Sequence, residues 1–184
     1  MEGKKLFLLA MMPPLVLAER IDEIRKEFAA AYHCKAALKP PVHITLYPPY
    51  AAVTSHEEKM KPLLENLTTN HSSFELHLDG FDAFKKNGVI FIDVVKNKSL
   101  TELHHDTKLL MTKFLVPQAK SNRDYRPHFT IGYRDIPKDL LTEAINDYLP
   151  MAFKASFIVD KIFFWRHDGQ RWQIINEFPL KNSF

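Results

Sequence analysis

The chain has 184 residues, 46% of them hydrophobic and 26% charged, with nine His and a formal net charge of +3. This length and apolar content argue against disorder and fit one domain over residues 1–184 with a substantial core. The mild basicity suits a phosphate-bearing ligand and falls far short of what nonspecific duplex binding needs, and the lone Cys34 excludes an intramolecular disulfide framework and a cysteine-rich zinc site.

Lys4 and Lys5 followed by the apolar run Leu6 to Ala18 imitate a secretory signal, but Pro13 and Pro14 break that run at its middle. The better reading is a buried strand over 5–12 and then a helix with proline in its first turn, in a cytoplasmic protein without membrane contact. No later stretch has the 18 or more apolar residues of a membrane span. In the helix over 15–32, Leu17, Ile21, Ile24 and Phe28 recur at spacings of three and four, with Glu19, Arg20, Glu23 and Arg25 expected to face solvent. A strand around His43 follows, interrupted by Tyr47-Pro48-Pro49-Tyr50.

Ser55 with Glu58 three residues on marks a capping-box start for a helix to about Leu67. Phe74 to Leu78 alternates cleanly and continues toward Phe84, and after the turn Lys86-Asn87-Gly88 the β-branched run Val89 to Val95 completes a hairpin. Ser99 with Glu102 opens a further helix to about Leu115. The chain then predicts a strand over 126–134, a helix over 138–149 and two closing strands, the first from Ala155 to Arg166.

Two of these strands carry one pattern. His43-Ile44-Thr45-Leu46 and His128-Phe129-Thr130-Ile131 each place His and Thr at i and i+2, hence on one face of an extended strand, with an apolar side chain pointing the other way. A third bare match, His105-Asp106-Thr107, lies in a helical stretch where i and i+2 diverge, and is set aside. Spacings support a duplication. Phe7 precedes His43 by 36 residues and Phe91 precedes His128 by 37, while Phe74 follows His43 by 31 and Phe157 follows His128 by 29. The expected fold is therefore α+β: bilobal and pseudo-twofold, with two mostly antiparallel sheets backed by helices and the motif strands facing each other across a central cleft.

Two imidazoles with unperturbed pKa near 6.5 can divide the work of base and acid on a phosphodiester, and two Thr hydroxyls can hydrogen-bond its non-bridging oxygens, without a metal or other cofactor. In these motifs the chain resembles the 2H phosphoesterases, which include 2′-5′ RNA ligase-like proteins and cyclic nucleotide phosphodiesterases, and it matches the family pattern at both His and both Thr. The resemblance implies a bilobal enzyme of RNA processing, with His43, Thr45, His128 and Thr130 as catalytic residues. It implies cleavage of 2′,3′-cyclic phosphates at RNA ends or on small nucleotides, or the related 2′-5′ ligation.

Around this core, Arg126 lies two residues before His128 and Tyr47 four residues after His43, both on the motif face of an ideal strand; Trp165 with Arg166 offers an aromatic and cationic wall. These are the candidate substrate-binding residues, with Lys120 and Arg123 as further cations in the loop before His128. His104-His105-Asp106 lacks the spacing of a metal site. No obligate protein partner is expected. The competing reading is a module that binds a nucleotide or RNA end in the same cleft without turnover.

Overall fold

The computed structural model describes residues 3–115 and 124–182. Among these, the order is β1 (Lys4–Met11), α1 (Leu15–Ala31), β2 (Ile44–Val53), α2 (His56–Thr68), β3 (Phe74–Phe84), β4 (Val89–Val95), α3 (Lys98–Phe114), β5 (His128–Gly132), α4 (Leu141–Tyr148), β6 (Lys154–Val159), β7 (Lys161–His167) and β8 (Trp172–Pro179). Local signals account for most boundaries. Pro14 stands at the N-cap of α1, and Gly88 takes the left-handed φ of +60° that turns β3 into β4. The start of α3 differs from expectation: Asn97, not Ser99, caps it, its side chain accepting the Leu100 N–H at 2.8 Å.

The strands form one antiparallel sheet in the order β6-β3-β4-β5-β2-β1-β7-β8. The expected pair of sheets is thus two four-stranded halves of a single sheet, joined at β2 and β5 by one residue pair, Ile44 with Phe129. Rotating one half onto the other matches β1 with β4, β2 with β5, β7 with β3 and β8 with β6. This corrects the downstream spacing argument. β3 and β6 are hydrogen-bonded neighbours in the same half, so Phe74 and Phe157 are not equivalent positions of a repeat.

The strand expected over 155–166 is two strands. Asp160 alone separates β6, at one edge of the sheet, from β7, which pairs with β1 in the other half. Strands lie about 4.8 Å apart and one residue advances the chain by under 4 Å, so a flat sheet cannot satisfy this connection. The sheet curves until its outer strands meet at this end. There Leu180 N donates to the Asp160 carbonyl at 2.8 Å, and Ser72 bridges to Lys181.

One face of the sheet packs against the four helices in a continuous core that includes Phe7, Phe28, Ile44, Phe129, Phe157 and Phe164. The opposite face carries a smaller cluster of Leu8, Ala10 and Trp165. β1 is buried on both faces from Phe7 to Met11 because apolar side chains cover each side. The parity of the upstream spacings follows: Phe7 belongs to the helix-side core, whereas Phe91 lies against His128 on the other face. A difference of one residue between 36 and 37 moves the side chain from one face to the other.

Candidate functional site

Ile44 and Phe129 are 0% and 1% exposed and point into the helix-side core. Their neighbours therefore emerge on the opposite face. Because the two strands run antiparallel, this single pair sets His43 across from Thr130 and Thr45 across from His128, so the four motif side chains form a diagonal quartet at the junction of the two halves.

The two imidazoles are held alike. His43 Nδ1 lies 2.7 Å from the Pro41 carbonyl, and His128 Nδ1 lies 2.7 Å from the Arg126 carbonyl, in each case two residues upstream. In the neutral ring Nδ1–H donates to that carbonyl, and Nε2 keeps a lone pair for a proton. Each ring rests on aromatic groups: His43 on Trp165 with centroids 4.9 Å apart, His128 on Phe91 at 4.8 Å and Phe84 at 5.2 Å. Burial pulls His43 down to about 4, against the Pro41 carbonyl, and the charges of Arg25 and His128 add to the fall. Burial likewise lowers His128; the Arg126 carbonyl and Asp93 oppose that shift and the Arg126 guanidinium adds to it. An anion placed between the rings would favour the charged imidazole and oppose these shifts.

A cavity of about 220 Å³ opens on the His43 side of this quartet, lined by His43, Thr45 and Thr130, but not His128, together with Arg25, Tyr133 and Trp172. Arg25 and Trp172 were not among the sequence candidates. Arg25, expected on the solvent face of α1, is 2% exposed. Its periodicity signals this, since Ile21, Arg25 and Phe28 fall at i, i+4 and i+7 on one stripe. Trp172, at the start of β8, has no local signal; it reaches the cavity only because β8 pairs with β7.

Arg126, Tyr47 and Trp165 have surroundings that differ from an open substrate wall. Arg126 bonds Asp82 and lies 3.3 Å from both oxygens of Asp93, with its guanidinium 5.1 Å from the Phe91 ring centre, so two carboxylates already balance its charge. Tyr47 turns away from the motif face. Ala10 pairs with Thr45 but Leu9 pairs with Tyr47, and the resulting bulge directs both Leu46 and Tyr47 to the helix-side core, where Tyr47 meets Tyr50 edge-on. Trp165 is fully buried beneath His43, a floor and not a wall, and Arg166 bonds Glu57 of α2 at 2.8 Å. Lys120 and Arg123 lie outside the described residues.

Four residues past His128, the space beside Gly132 is filled by Phe28 of α1. His104 stacks on Tyr125 with ring centres 3.7 Å apart, and Tyr125 Oη donates to the Thr45 carbonyl at 3.1 Å. Among the described residues no three His, Cys, Asp or Glu side chains are grouped to hold a metal ion, and no helix is long and apolar enough to cross a membrane.

A family model described as the 2′-5′ RNA ligase superfamily matches residues 13–171, most of the chain. The chain belongs to that superfamily. Its fold agrees with solved LigT-type structures. Apo E. coli LigT superposes with a TM-score of 0.66 at 18% identity, covering 97% of this chain and 98% of that one. E. coli LigT complexed with ATP gives 0.65 at 22% identity, covering 98% and 99%. TT0787 of Thermus thermophilus gives 0.65 at 18% identity, covering 98% and 100%. No curated protein matches the chain at a significant level. Superfamily membership supports an enzymatic role.

Proposed function

We propose that this superfamily member is a metal-independent phosphoesterase that hydrolyses 2′,3′-cyclic phosphodiesters at RNA ends or on small nucleotides. The observation that carries the reading is the diagonal quartet: two imidazoles with Nδ1 tied to backbone carbonyls, each set across from the Thr of the other motif. That arrangement presents two Nε2 atoms and two hydroxyls to one phosphate. Crystal structures of E. coli LigT complexed with 3′-AMP, ATP and NADP+ accord with a nucleotide in such a site.

In the reaction, the neutral imidazole takes a proton from water as its oxygen bonds to phosphorus. The bond from phosphorus to one ribose oxygen breaks, and the protonated imidazole delivers its proton to that oxygen, leaving a phosphomonoester. Thr45 and Thr130 donate to the non-bridging oxygens as charge builds there.

The test is turnover of a panel of 2′,3′-cyclic nucleotides and 2′-5′-linked dinucleotides by purified protein in EDTA. His43→Ala and His128→Ala are each expected to lower cyclic phosphodiester hydrolysis by ~100-fold or more. Full activity in either variant, or loss of wild-type activity on chelation, refutes the mechanism, and tight nucleotide binding without product refutes the enzyme reading in favour of a binding module.

A further inference from the structure

The two imidazoles are held alike by the backbone but differ in what stands behind them. Behind His43 is Arg25, 2% exposed, on the buried stripe of α1. One of its terminal nitrogens donates to the Pro40 carbonyl at 2.8 Å, the other bonds Asp22 at 3.0 Å, and its Nε is buried with no hydrogen-bond partner. The next carbonyl along, that of Pro41, is the acceptor for His43 Nδ1. Both residues are proline, so φ is locked at each and the segment between the two carbonyls has few ways to rearrange. Arg25 thus grips the peptide segment that orients the His43 ring.

The charges around the two rings differ as well. His43 faces Arg25 from α1 and His128 from β5, both cationic or potentially so, with Tyr133 lining the same cavity. From β7 and β8 it meets Trp165 and Trp172, which do not titrate. Among the described residues the only carboxylate on Arg25 is Asp22, which is 36% exposed and bonds the other terminal nitrogen from the one that donates to Pro40. His128 instead pairs directly with Asp93 of β4; the Arg126 cation lowers it, but Arg126 is itself bonded by Asp82 and Asp93, and Asp93 works against that shift.

We propose that Arg25 is the positioning residue that makes His43 the base of the pair and, with Asp93 behind the other ring, leaves His128 as the acid. The buried cation disfavours a second charge on His43, while the Pro40–Pro41 segment aims its free Nε2 at water. At His128 the carboxylate of Asp93 offsets part of the Arg126 cation. Among the described residues no carboxylate acts directly on His43 against Arg25, so an arriving anionic phosphate favours imidazolium at His128 first. This assignment rests on the cyclic phosphodiesterase reading for its chemistry, but the state of each ring is measurable without any substrate.

The experiment is an NMR titration of the His ring signals in the full-length protein, free of ligand, with Arg25→Met and Asp22→Asn variants. Arg25→Met is close in volume and removes the cation, and the His43 midpoint is expected to rise by roughly half a unit or more. Asp22→Asn, an isosteric change at a half-exposed position, removes the anion offsetting Arg25, and the His43 midpoint is expected to fall. The acid limb of the pH–rate profile moves with His43 in both variants, and the His128 signal stays within a few tenths of a unit. An unmoved His43 midpoint in Asp22→Asn, or a His128 midpoint that moves as far as that of His43, overturns the assignment even if Arg25→Met fails to fold. Absence of turnover in wild type together with the expected midpoints overturns the activity and leaves the positioning role standing.

Discussion

Gly132→Ala is the sharpest test of how the motif strand is seated on α1. Gly132 has no positive φ, so alanine meets no backbone strain, and the whole effect comes from contact. A Cβ there would lie 2.2 Å from Phe28 Cε1 and 2.6 Å from Cζ. Carbon atoms in contact sit at about 3.5–4.0 Å, so the ring must withdraw by roughly 1.3 Å. It has nowhere to go: Phe28 is fully buried between Tyr32, with centroids 4.7 Å apart, and Tyr148 at 5.0 Å.

Overpacking of this kind costs about 1–3 kcal/mol, against about 0.5–1 kcal/mol gained by removing glycine from a strand. The expected net loss is about 1–2 kcal/mol, which for a chain of this length lowers Tm by roughly 2–8 °C. Thermal melts followed by circular dichroism and calorimetry measure it. Combining Gly132→Ala with Phe28→Leu is expected to recover part of the loss, because the smaller side chain clears the new methyl. A Gly132→Ala melt within about 1 °C of wild type, or strictly additive losses in the double variant, refutes the packing argument.

Three further outcomes are expected. Both single His→Ala variants lose cyclic phosphodiester hydrolysis by ~100-fold while wild-type activity survives EDTA, as read by product formation. Trp172→Ala removes a wall of the cavity and raises KM for a cyclic nucleotide with kcat nearly unchanged, which steady-state kinetics distinguishes from a loss in kcat alone. Stability depends on pH through buried imidazoles: burial pulls His43 and His104 down to about 4 each, whereas unfolded histidine titrates near 6.5. The unfolded chain then binds more protons than the native one over that interval, so stability is full above about pH 6.5 and declines toward pH 4. Urea unfolding at pH 7.5 and 5 checks the sign, and equal or greater stability at pH 5 contradicts it.

The parts of the site legible in sequence are those with local causes. His43 with Thr45 and His128 with Thr130 share a face because strand side chains alternate, whatever the strands pair with. Arg25 was also present in the pattern, on the stripe of Ile21 and Phe28, but its charge suggested solvent; only the packing of α1 on the sheet buries it. Tyr47 was misplaced for the opposite reason. Perfect alternation from His43 sends it to the motif face, and one bulge against β1, invisible without the partner strand, sends it to the core.

The amino-acid order by itself determined the alternation, the helical stripes, the breaks at proline and glycine and the two His-x-Thr strands, since each depends on residues within a few positions of one another. Tertiary structure alone decided that these strands meet at the single Ile44–Phe129 pair, and that β6 and β7 part at Asp160 to serve different halves. It also set Asp93 beside one histidine and Arg25 behind the other. Those are matters of strand order and register, chosen by burial of distant apolar faces against each other, and no local pattern encodes which distant face that will be.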